Sequence, residues 1–306
     1  MADVTDMAFR QIIVSCGRPD VFYTEFVSAD GLCSEKGKPK LMPHLKFQKN
    51  EKPIVVQFFG AKPENFYKCA QLAVELGFDG IDINMGCPDR SVEKQGAGAA
   101  LINNPKLAQE IIRETKRGAR STSSGQADLP VSIKTRLGYN KIETKEWVPV
   151  LLETEPAALI IHGRTKKEMS AVPAHWEEIG IAAGLAEGSK TLIIGNGDVA
   201  NSKDAEKKAK NYKLDGIMVG RAVFSNPWFF NEKVDIRDIT PEQRVQLLMK
   251  HLSLFDKLWG HNKNFDTMKK FFKVYITNWP GAKDLRTKLM TAKNLKQVVD
   301  ILSGVL

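Results

Sequence analysis

One cysteine stands where a strand ends, and it could act as an acid. The run GIDINMGCPD (80–89) places an apolar stretch directly before a Gly-Cys-Pro turn. Gly86 allows a sharp turn, and Pro88 has no N–H with which to continue a ladder, so Cys87 falls at the carboxyl end of the strand. A thiol in that position can donate a proton to a bound molecule. We expect the other cysteines to be small buried apolar residues, the usual state of free cysteine: Cys16, Cys33 and Cys69.

Seven strand-like runs recur along the chain, each followed by an amphipathic segment. Their spacing is too long for hairpins, and strand alternating with helix is the pattern of βαβ units. Two intervening segments carry helix signals, one bounded by Pro63 and Gly77 and the other at 105–117. Eight such units close a (β/α)8 TIM barrel, so a first strand would have to precede residue 1. The seven runs are 21–26, 53–59, 80–86, 131–136, 158–164, 191–198 and 216–221.

The periodicity changes beyond Asn231. From there it is helical throughout, in segments such as TPEQRVQLLMKHLSLFDKLWG and DTMKKFFKVYITNW. The predicted fold class is therefore α/β, a TIM barrel with its first strand truncated, followed by a small all-α domain of three or four helices. We expect residues 1–231 to form the barrel and residues 232–306 the helical domain.

Polar residues are concentrated at the ends of the predicted strands. In a (β/α)8 barrel the chemistry lies at the carboxyl ends of the strands, so these residues are the candidates for a functional site. In chain order they are Gln57, Asn84, Cys87, Lys134, Arg136, His162, Arg164, Asn196, Gly197, Asp198, Gly220 and Arg221.

Some of these candidates suit a phosphate-bearing cofactor. Glycines in GNGD (195–198) and before Arg221 would expose backbone N–H groups, and a following helix N-terminus would add partial positive charge. A tight turn is the alternative for GNGD taken alone. Lys134 interrupts an apolar strand and needs an anionic partner, which a flavin or a neighbouring carboxylate would supply. His162 is either a cofactor ligand or a structural histidine bonded to backbone.

The charge is unevenly distributed. Residues 231–306 carry 14 Lys and Arg against 8 Asp and Glu, which is +6 of the chain's net +9. A basic surface favours a phosphate-rich partner such as nucleic acid, and an ordinary solvated surface is the alternative.

Composition argues against a membrane protein and against a metal site. No apolar run reaches the roughly 18 residues needed to span a bilayer, and the start MADVTDMAFR lacks a signal-peptide pattern. The scattered cysteines suit a reducing compartment and form no CxxC pair for zinc. We expect a cytoplasmic monomer without metal or membrane association. The histidines without metal-ligand spacing are expected to be surface or packing residues: His44, His175, His251 and His261.

Six motifs in order resemble the tRNA-dihydrouridine synthases, a family of FMN-dependent (β/α)8 enzymes with a helical C-terminal domain. INMGCP followed by KQGAGAALI is similar to the family signature, and VSIKTRLGY, IIHGRT, IIGNGDV and GIMVGRAVFSNPWFF follow in the family's order. The ending FFKVYITNWPGAKDLRTKL resembles the helical domain of the bacterial B-type branch.

The resemblance implies a reaction and its residues. NADPH would reduce the flavin, and the reduced flavin would transfer a hydride from its N5 to C6 of a uracil in tRNA. The Cys87 thiol would protonate C5 of the same uracil. Asn84, Arg136 and Arg164 would bind the uracil. The FMN contacts that it implies are Met1 and Ala2, with Met1 matching the end of the family's first strand, then Gln57, Lys134, His162, Asn196, Gly197, Asp198, Gly220 and Arg221. Candidates for RNA contact in the helical domain are Lys269, Lys270, Lys273 and Arg286.

The chain departs from the family pattern in the loop after HGRT. Ser170 stands where the family usually has an aromatic residue, and Val172 replaces a common glycine, so the wall of the uracil pocket is expected to differ. Two alternatives remain. One is a flavin-dependent dehydrogenase of free pyrimidines, which gives no reason for the basic helical tail. The other is a non-catalytic tRNA-binding relative, against which Cys87, Lys134 and GNGD argue.

Overall fold

The chain folds into two compact units. A computed structural model describes residues 4–120 and 128–303. The first unit is Val21–Gly220, and the second joins residues 4–20 to residues 221–303. Among the described residues, no helix is long and apolar enough to cross a membrane.

Strands and helices alternate through the first unit and give way to helices alone in the second. The strands are β1 Phe22–Ser28, β2 Ile54–Phe59, β3 Gly80–Met85, β4 Val131–Arg136, β5 Ala158–His162, β6 Leu192–Asn196 and β7 Gly216–Met218. The helices are α1 Met7–Cys16, α2 Ala29–Leu32, α3 Lys38–Leu41, α4 Pro63–Leu76, α5 Arg90–Glu93, α6 Pro105–Gly118, α7 Thr144–Leu152, α8 Trp176–Leu185, α9 Ser202–Asn211, α10 Ala222–Ser225, α11 Pro241–Trp259, α12 Lys269–Tyr275, α13 Ala282–Met290 and α14 Leu295–Ser303.

The seven strands form one parallel sheet in chain order, from β1 to β7. This arrangement confirms the predicted TIM-barrel type of α/β fold. All seven strand-like runs of the sequence are strands. An eighth strand before residue 1 would lie outside the described residues. Because the strands are parallel, their carboxyl ends, and the loops that follow them, lie along the same edge of the sheet.

Local signals account for the helices between the strands. Helix α4 begins at Pro63, where the missing N–H is tolerated because N–H groups in the first turn have no acceptor within the helix. The helix ends at Gly77, which adopts the left-handed conformation with φ +76°. Asn104 caps α6 by accepting a hydrogen bond from the backbone N–H of Leu107. Both helices therefore lie where the sequence predicts them.

The core of the sheet is apolar on both faces. Every residue of β3 is buried, as expected for a parallel strand covered on both sides. Ile81, Ile83 and Met85 have no exposed surface. The polar exceptions on β2 and β3 are Gln57, Asp82 and Asn84, which are also buried.

The second unit has an aromatic core to which α1 contributes. Phe9 of α1 packs with its ring centroid 5.6 Å from that of Phe224 and 5.2 Å from that of Phe271. The indole Nε1 of Trp259 donates to Asp6 at 2.7 Å. The compact units therefore do not coincide with a division at 231/232. The sequence shows that α1 has an apolar face but does not show which core that face joins.

The cysteines differ in exposure. Cys16 and Cys69 are buried, as expected, and Cys87 is half-buried. Cys33 is exposed, so the expectation of a buried residue is wrong there. It follows α2 as the C-cap residue of a single helical turn, a position that faces solvent more readily than a helix interior.

Candidate active site

The turn that carries Cys87 is held by its own strand. The backbone N–H groups of Gly86 and Cys87 donate to Oδ1 of Asn84 at 3.2 and 2.9 Å. The following loop returns to the turn, where Ala99 N–H donates to the Cys87 carbonyl at 3.0 Å. Gly98 makes this approach possible, since it has φ +62° and a Cβ there would lie 2.7 Å from the Cys87 oxygen.

Arg136 joins the Cys87 turn to the loop after β5. Its Nε donates to the Gly86 carbonyl at 2.7 Å, and its Nη1 donates to the carbonyls of Thr165 and Met169 at 3.0 and 3.3 Å. Burial lowers the pKa of Arg136 to about 10, so the guanidinium keeps its charge at neutral pH.

The Cys87 thiol lies in an environment that keeps it protonated. Burial raises its pKa, and the charge of Arg136 partly opposes that shift. At neutral pH the group is therefore an S–H, and a thiolate formed from it would lie within the field of the Arg136 cation. A group with these properties can donate a proton.

Gln57 and Asn84, from neighbouring strands, form a buried amide pair. Asn84 Nδ2 donates to Gln57 Oε1 at 3.0 Å, and Gln57 Nε2 donates to Asp82 Oδ2 at 2.7 Å. The other carboxylate oxygen of Asp82 accepts from Ser132 Oγ at 2.6 Å. Burial raises the pKa of Asp82 to about 6, while the hydrogen bonds from Ser132 and Gln57 and the charge of Lys134 lower it.

Lys134 is a half-buried cation whose donors are not all used. Its Nζ donates to Asn196 Oδ1 at 3.2 Å, and Asn196 in turn donates to the Met218 carbonyl at 2.8 Å. Within the described part of the chain Lys134 forms no ion pair. Burial lowers its pKa to about 8, with Arg136 acting in the same direction and Asp82 opposing. An anionic group would therefore find both a charge and free N–H donors here.

His162, Arg164 and Asp198 form a second cluster. The buried guanidinium of Arg164 donates to Asp198, to His162 Nε2 at 3.1 Å and to the Val172 carbonyl at 2.5 Å. A guanidinium can only donate, so His162 Nε2 accepts and the proton of the neutral ring lies on Nδ1. Asp198 also accepts from Ala174 N–H at 3.0 Å. All three charged nitrogens of Arg164 thus have protein acceptors.

The two glycines predicted to lie at the cofactor site, Gly197 and Gly220, have different surroundings. Gly197 has φ +126°, and a Cβ there would lie 2.9 Å from the Ala174 side chain and 3.2 Å from the His162 ring, so glycine is required. Gly220 has open space around it. Arg221 follows it in the chain and belongs to the second compact unit. Met1 and Ala2 lie outside the described residues.

Sequence reasoning missed Asp82 and Ser132. The signal was present, because a carboxylate in the run GIDINMG is as costly in an apolar strand as the lysine in VSIKTR. Eight of the candidates of the first unit are linked by hydrogen bonds into three groups: Gln57, Asn84 and Cys87; Lys134 and Asn196; His162, Arg164 and Asp198.

A parallel α/β sheet of TIM-barrel type with a thiol, a cation and paired amides along its carboxyl edge is the arrangement of an enzyme. The model of one family, Dihydrouridine synthase (Dus), matches residues 1–304. The chain belongs to this family, which confirms the resemblance seen in its motifs.

Known relatives agree with this assignment. The chain is 40% identical over 301 residues to the "Probable tRNA-dihydrouridine synthase" of Staphylococcus aureus (strain COL), covering 97% of this chain and 88% of the relative. It is 40% identical over 302 residues to the "Probable tRNA-dihydrouridine synthase 2" of Bacillus subtilis (strain 168), covering 97% and 90%. Among solved structures, a variant of NCR from Zymomonas mobilis is similar at 16% identity with a TM-score of 0.49, over 79% of this chain and 85% of that one. A likeness at that level does not bear on function.

Proposed function

We propose that this enzyme reduces uridines of tRNA to 5,6-dihydrouridine, with FMN as its cofactor and NADPH as the reductant. The observation that carries the proposal is the half-buried Cys87 thiol at the carboxyl end of β3, held by Asn84 and lying near Arg136. The names of the relatives from Staphylococcus aureus and Bacillus subtilis support tRNA as the substrate.

The residues along the carboxyl edge fit a flavin with a phosphate tail. Lys134 provides a cation with unused donors, which suits an anionic ring edge. Gln57 and Asn84 are fixed amides whose remaining hydrogen-bonding capacity suits the polar edges of flat heterocycles. His162, Asn196, Gly197, Asp198 and Gly220 would hold the ribityl chain and phosphate, and we assign Arg221 the same role. The chemistry that FMN supplies when bound is transfer of a hydride to C6 of the uracil, with NADPH as the source of the electrons.

Cys87 supplies the second hydrogen. Reduction of the C5–C6 double bond needs a proton at C5, and the thiol carries one at neutral pH because burial raises its pKa. The thiolate left behind is stabilised by the nearby charge of Arg136. A positioned acid of this kind contributes roughly 10²- to 10⁴-fold to a rate.

We propose that Arg136 and Arg164 both shape the substrate pocket and contact a uracil. Arg136 is hydrogen-bonded to three backbone carbonyls, one in the Cys87 turn and two in the loop after β5. Arg164 is bonded to the Val172 carbonyl of its own loop, to His162 and to Asp198. A guanidinium has five N–H donors, so Arg136 retains donors for a uracil oxygen. Asn84 keeps one Nδ2 hydrogen for the same purpose.

The helical unit carries a basic pocket suited to RNA phosphates. The pocket has a volume of about 300 Å³, and its lining includes Lys269, Lys273, Lys283 and Arg286 together with Phe272, Thr287 and Met290. Three of these cations were candidates from the sequence alone. A target base must leave the stack to reach a flavin, which costs a few kcal/mol, and phosphate contacts would offset that cost.

Cys87→Ala tests the proposal directly. We expect the variant to retain FMN and its reduction by NADPH, while formation of dihydrouridine in undermodified tRNA falls by two or more orders of magnitude. Cys33→Ser is the matched control, because it removes an exposed thiol outside the site, and it should behave like the parent.

The other outcomes separate the alternatives. Equal loss of flavin reduction and product formation would contradict the assigned role of Cys87. Reduction of the flavin by free dihydrouracil or dihydroorotate, without tRNA binding, would identify a dehydrogenase of free pyrimidines. A colourless protein that binds tRNA would identify a non-catalytic relative.

A further inference from the structure

Asp82 is a buried carboxylate without a role in the proposed reaction. It lies in the middle of β3 and has no exposed surface. Its oxygens both accept hydrogen bonds, Oδ1 from Ser132 Oγ at 2.6 Å and Oδ2 from Gln57 Nε2 at 2.7 Å. A buried charge is costly, so its place in the strand that carries Cys87 calls for a physical reason.

A continuous path of hydrogen bonds runs from Asp82 to the Cys87 turn. Gln57 donates to Asp82, and Asn84 donates to Gln57 at 3.0 Å. The backbone N–H groups of Cys87 and Gly86 then donate to Asn84 at 2.9 and 3.2 Å. Every link in this path has one donor and one acceptor, and all of its side chains are buried.

The two ends of the path fix its direction. An ionised carboxylate only accepts, and a backbone N–H only donates, whereas each amide between them could be turned either way. Because Asp82 accepts, Gln57 must present its NH₂ to Asp82 and its oxygen to Asn84. Asn84 must then present its oxygen to the Cys87 turn. An amide turned the wrong way would place two donors or two acceptors against each other in a buried site.

We infer that Asp82 is a positioning residue, which acts through Gln57 and Asn84 to hold the turn that presents Cys87 and to set the direction of both amides. The positioning follows from the contacts alone. Its effect on catalysis rests on the proposed function, in which the two amides face the flavin and the uracil and Cys87 donates the proton. A loosened turn would misplace the proton donor without removing it.

Hydrogen exchange of the Cys87 backbone amide tests the inference in protein without cofactor or substrate. Asp82→Leu removes the acceptor, and we expect the Cys87 and Gly86 amides to exchange about tenfold faster, because the bond to Asn84 is no longer enforced. Ser132→Ala is the matched control. It removes the other hydrogen bond to the same carboxylate and leaves the path intact, so exchange should stay within about threefold of the parent.

A conservative variant and a second break in the path complete the test. Asp82→Asn keeps an oxygen that can accept from Gln57 while its NH₂ donates to Ser132, so it should restore most of the protection lost in Asp82→Leu. Gln57→Leu breaks the next link and should accelerate Cys87 exchange as Asp82→Leu does, and the double variant should be no worse than Gln57→Leu alone. If Asp82→Leu fails to fold, Gln57→Leu against Ser132→Ala provides the same comparison.

Two results would overturn the inference. One is unchanged Cys87 exchange in folded Asp82→Leu or in Gln57→Leu. The other is acceleration in Ser132→Ala as large as in Asp82→Leu, which would mean that the strand is loosened generally. Because exchange is measured without FMN or tRNA, failure of the proposed reaction would leave both results readable.

Discussion

Asp82 in the first compact unit and His251 in the second are both titratable side chains without exposed surface, yet their surroundings differ. Both oxygens of Asp82 accept hydrogen bonds, and one of them begins a path to Cys87. His251 packs against the rings of Phe9 and Phe271 and shares one hydrogen bond, between Nδ1 and the Tyr275 hydroxyl at 3.0 Å. Its Nε2 has no partner among the described residues. Complete burial alone therefore does not identify a functional group, and what distinguishes Asp82 from His251 is its hydrogen-bonded link to the turn that carries Cys87.

The two groups also respond to pH in opposite directions. Burial raises the pKa of Asp82 from 3.8 to about 6, so the folded protein holds that proton more tightly than the unfolded chain does. The contribution of Asp82 to the free energy of unfolding is therefore present at low pH and falls as the pH rises through 6. Burial lowers the pKa of His251 from 6.5 to about 3, so stability is present above 6.5 and is lost as the pH falls towards 3.

The largest expected effect is that of His251→Phe on acid stability. As the pH falls from 7 to 4.5, the buried histidine lowers the free energy of unfolding of the parent by roughly 2 to 3 kcal/mol, and the variant should lack this loss. The free energy of opening is measured in the full chain at both pH values from hydrogen exchange of the α11 amides. Tyr275→Phe is the control, because it removes the hydroxyl but keeps the imidazole, and it should keep the acid loss. A variant as acid-sensitive as the parent would refute the assignment.

Asp82→Asn should show the opposite and somewhat smaller effect. As the pH rises from 4.5 to 7, ionisation of buried Asp82 lowers the free energy of unfolding of the parent by about 2 kcal/mol, and the variant should lack this loss. Exchange of the β3 amides reports it, since these amides surround the substituted position. Glu187→Gln changes an exposed carboxylate in the same unit and should leave the pH dependence as in the parent. The same slope in Asp82→Asn and the parent would show that Asp82 does not titrate in this range.

The sequence predicted the elements more completely than the connections between them. Strand positions followed from short β-branched runs between helix signals such as Pro63 and Gly77, because these signals are local. The placement of α1 could not be predicted in this way. Its apolar face joins Phe271, more than 250 residues away in the chain, and periodicity carries no information about such a partner.

The candidate site was predicted by residue type and position but not by partner. Lys134 drew attention because a charge interrupts an apolar strand, and Asp82 on the neighbouring strand carries the same signal in GIDINMG. That Arg164 is bonded to His162 and Asp198 depends on loop geometry, which no short motif specifies. The direction of the Gln57 and Asn84 amides likewise depends on the Asp82 carboxylate, which contacts Gln57 across the folded sheet and Asn84 only through Gln57.

The smallest expected effects concern the surface of the helical unit, where charge is exposed instead of buried. Lys273 lines the basic pocket and forms no ion pair among the described residues, whereas Lys269, also in the lining, pairs with Asp266 at 2.7 Å. If the pocket binds RNA phosphate, Lys273→Ala should weaken tRNA binding about threefold at moderate salt and reduce the salt dependence by about one released counterion. Lys269→Ala should do less, because Asp266 already offsets its charge.

Fluorescence anisotropy of labelled tRNA across a salt series measures both quantities for Lys273→Ala and Lys269→Ala. Lys296→Ala removes an exposed cation from the same unit outside the pocket and serves as the control. Equal small losses in all three variants would indicate a diffuse electrostatic contribution, since net charge alone would then explain the binding. A loss of tRNA affinity confined to Lys273→Ala would show that the pocket contacts RNA. A phosphate bound at one position would depend on Lys273 more than on Lys269, whose charge is already paired with Asp266.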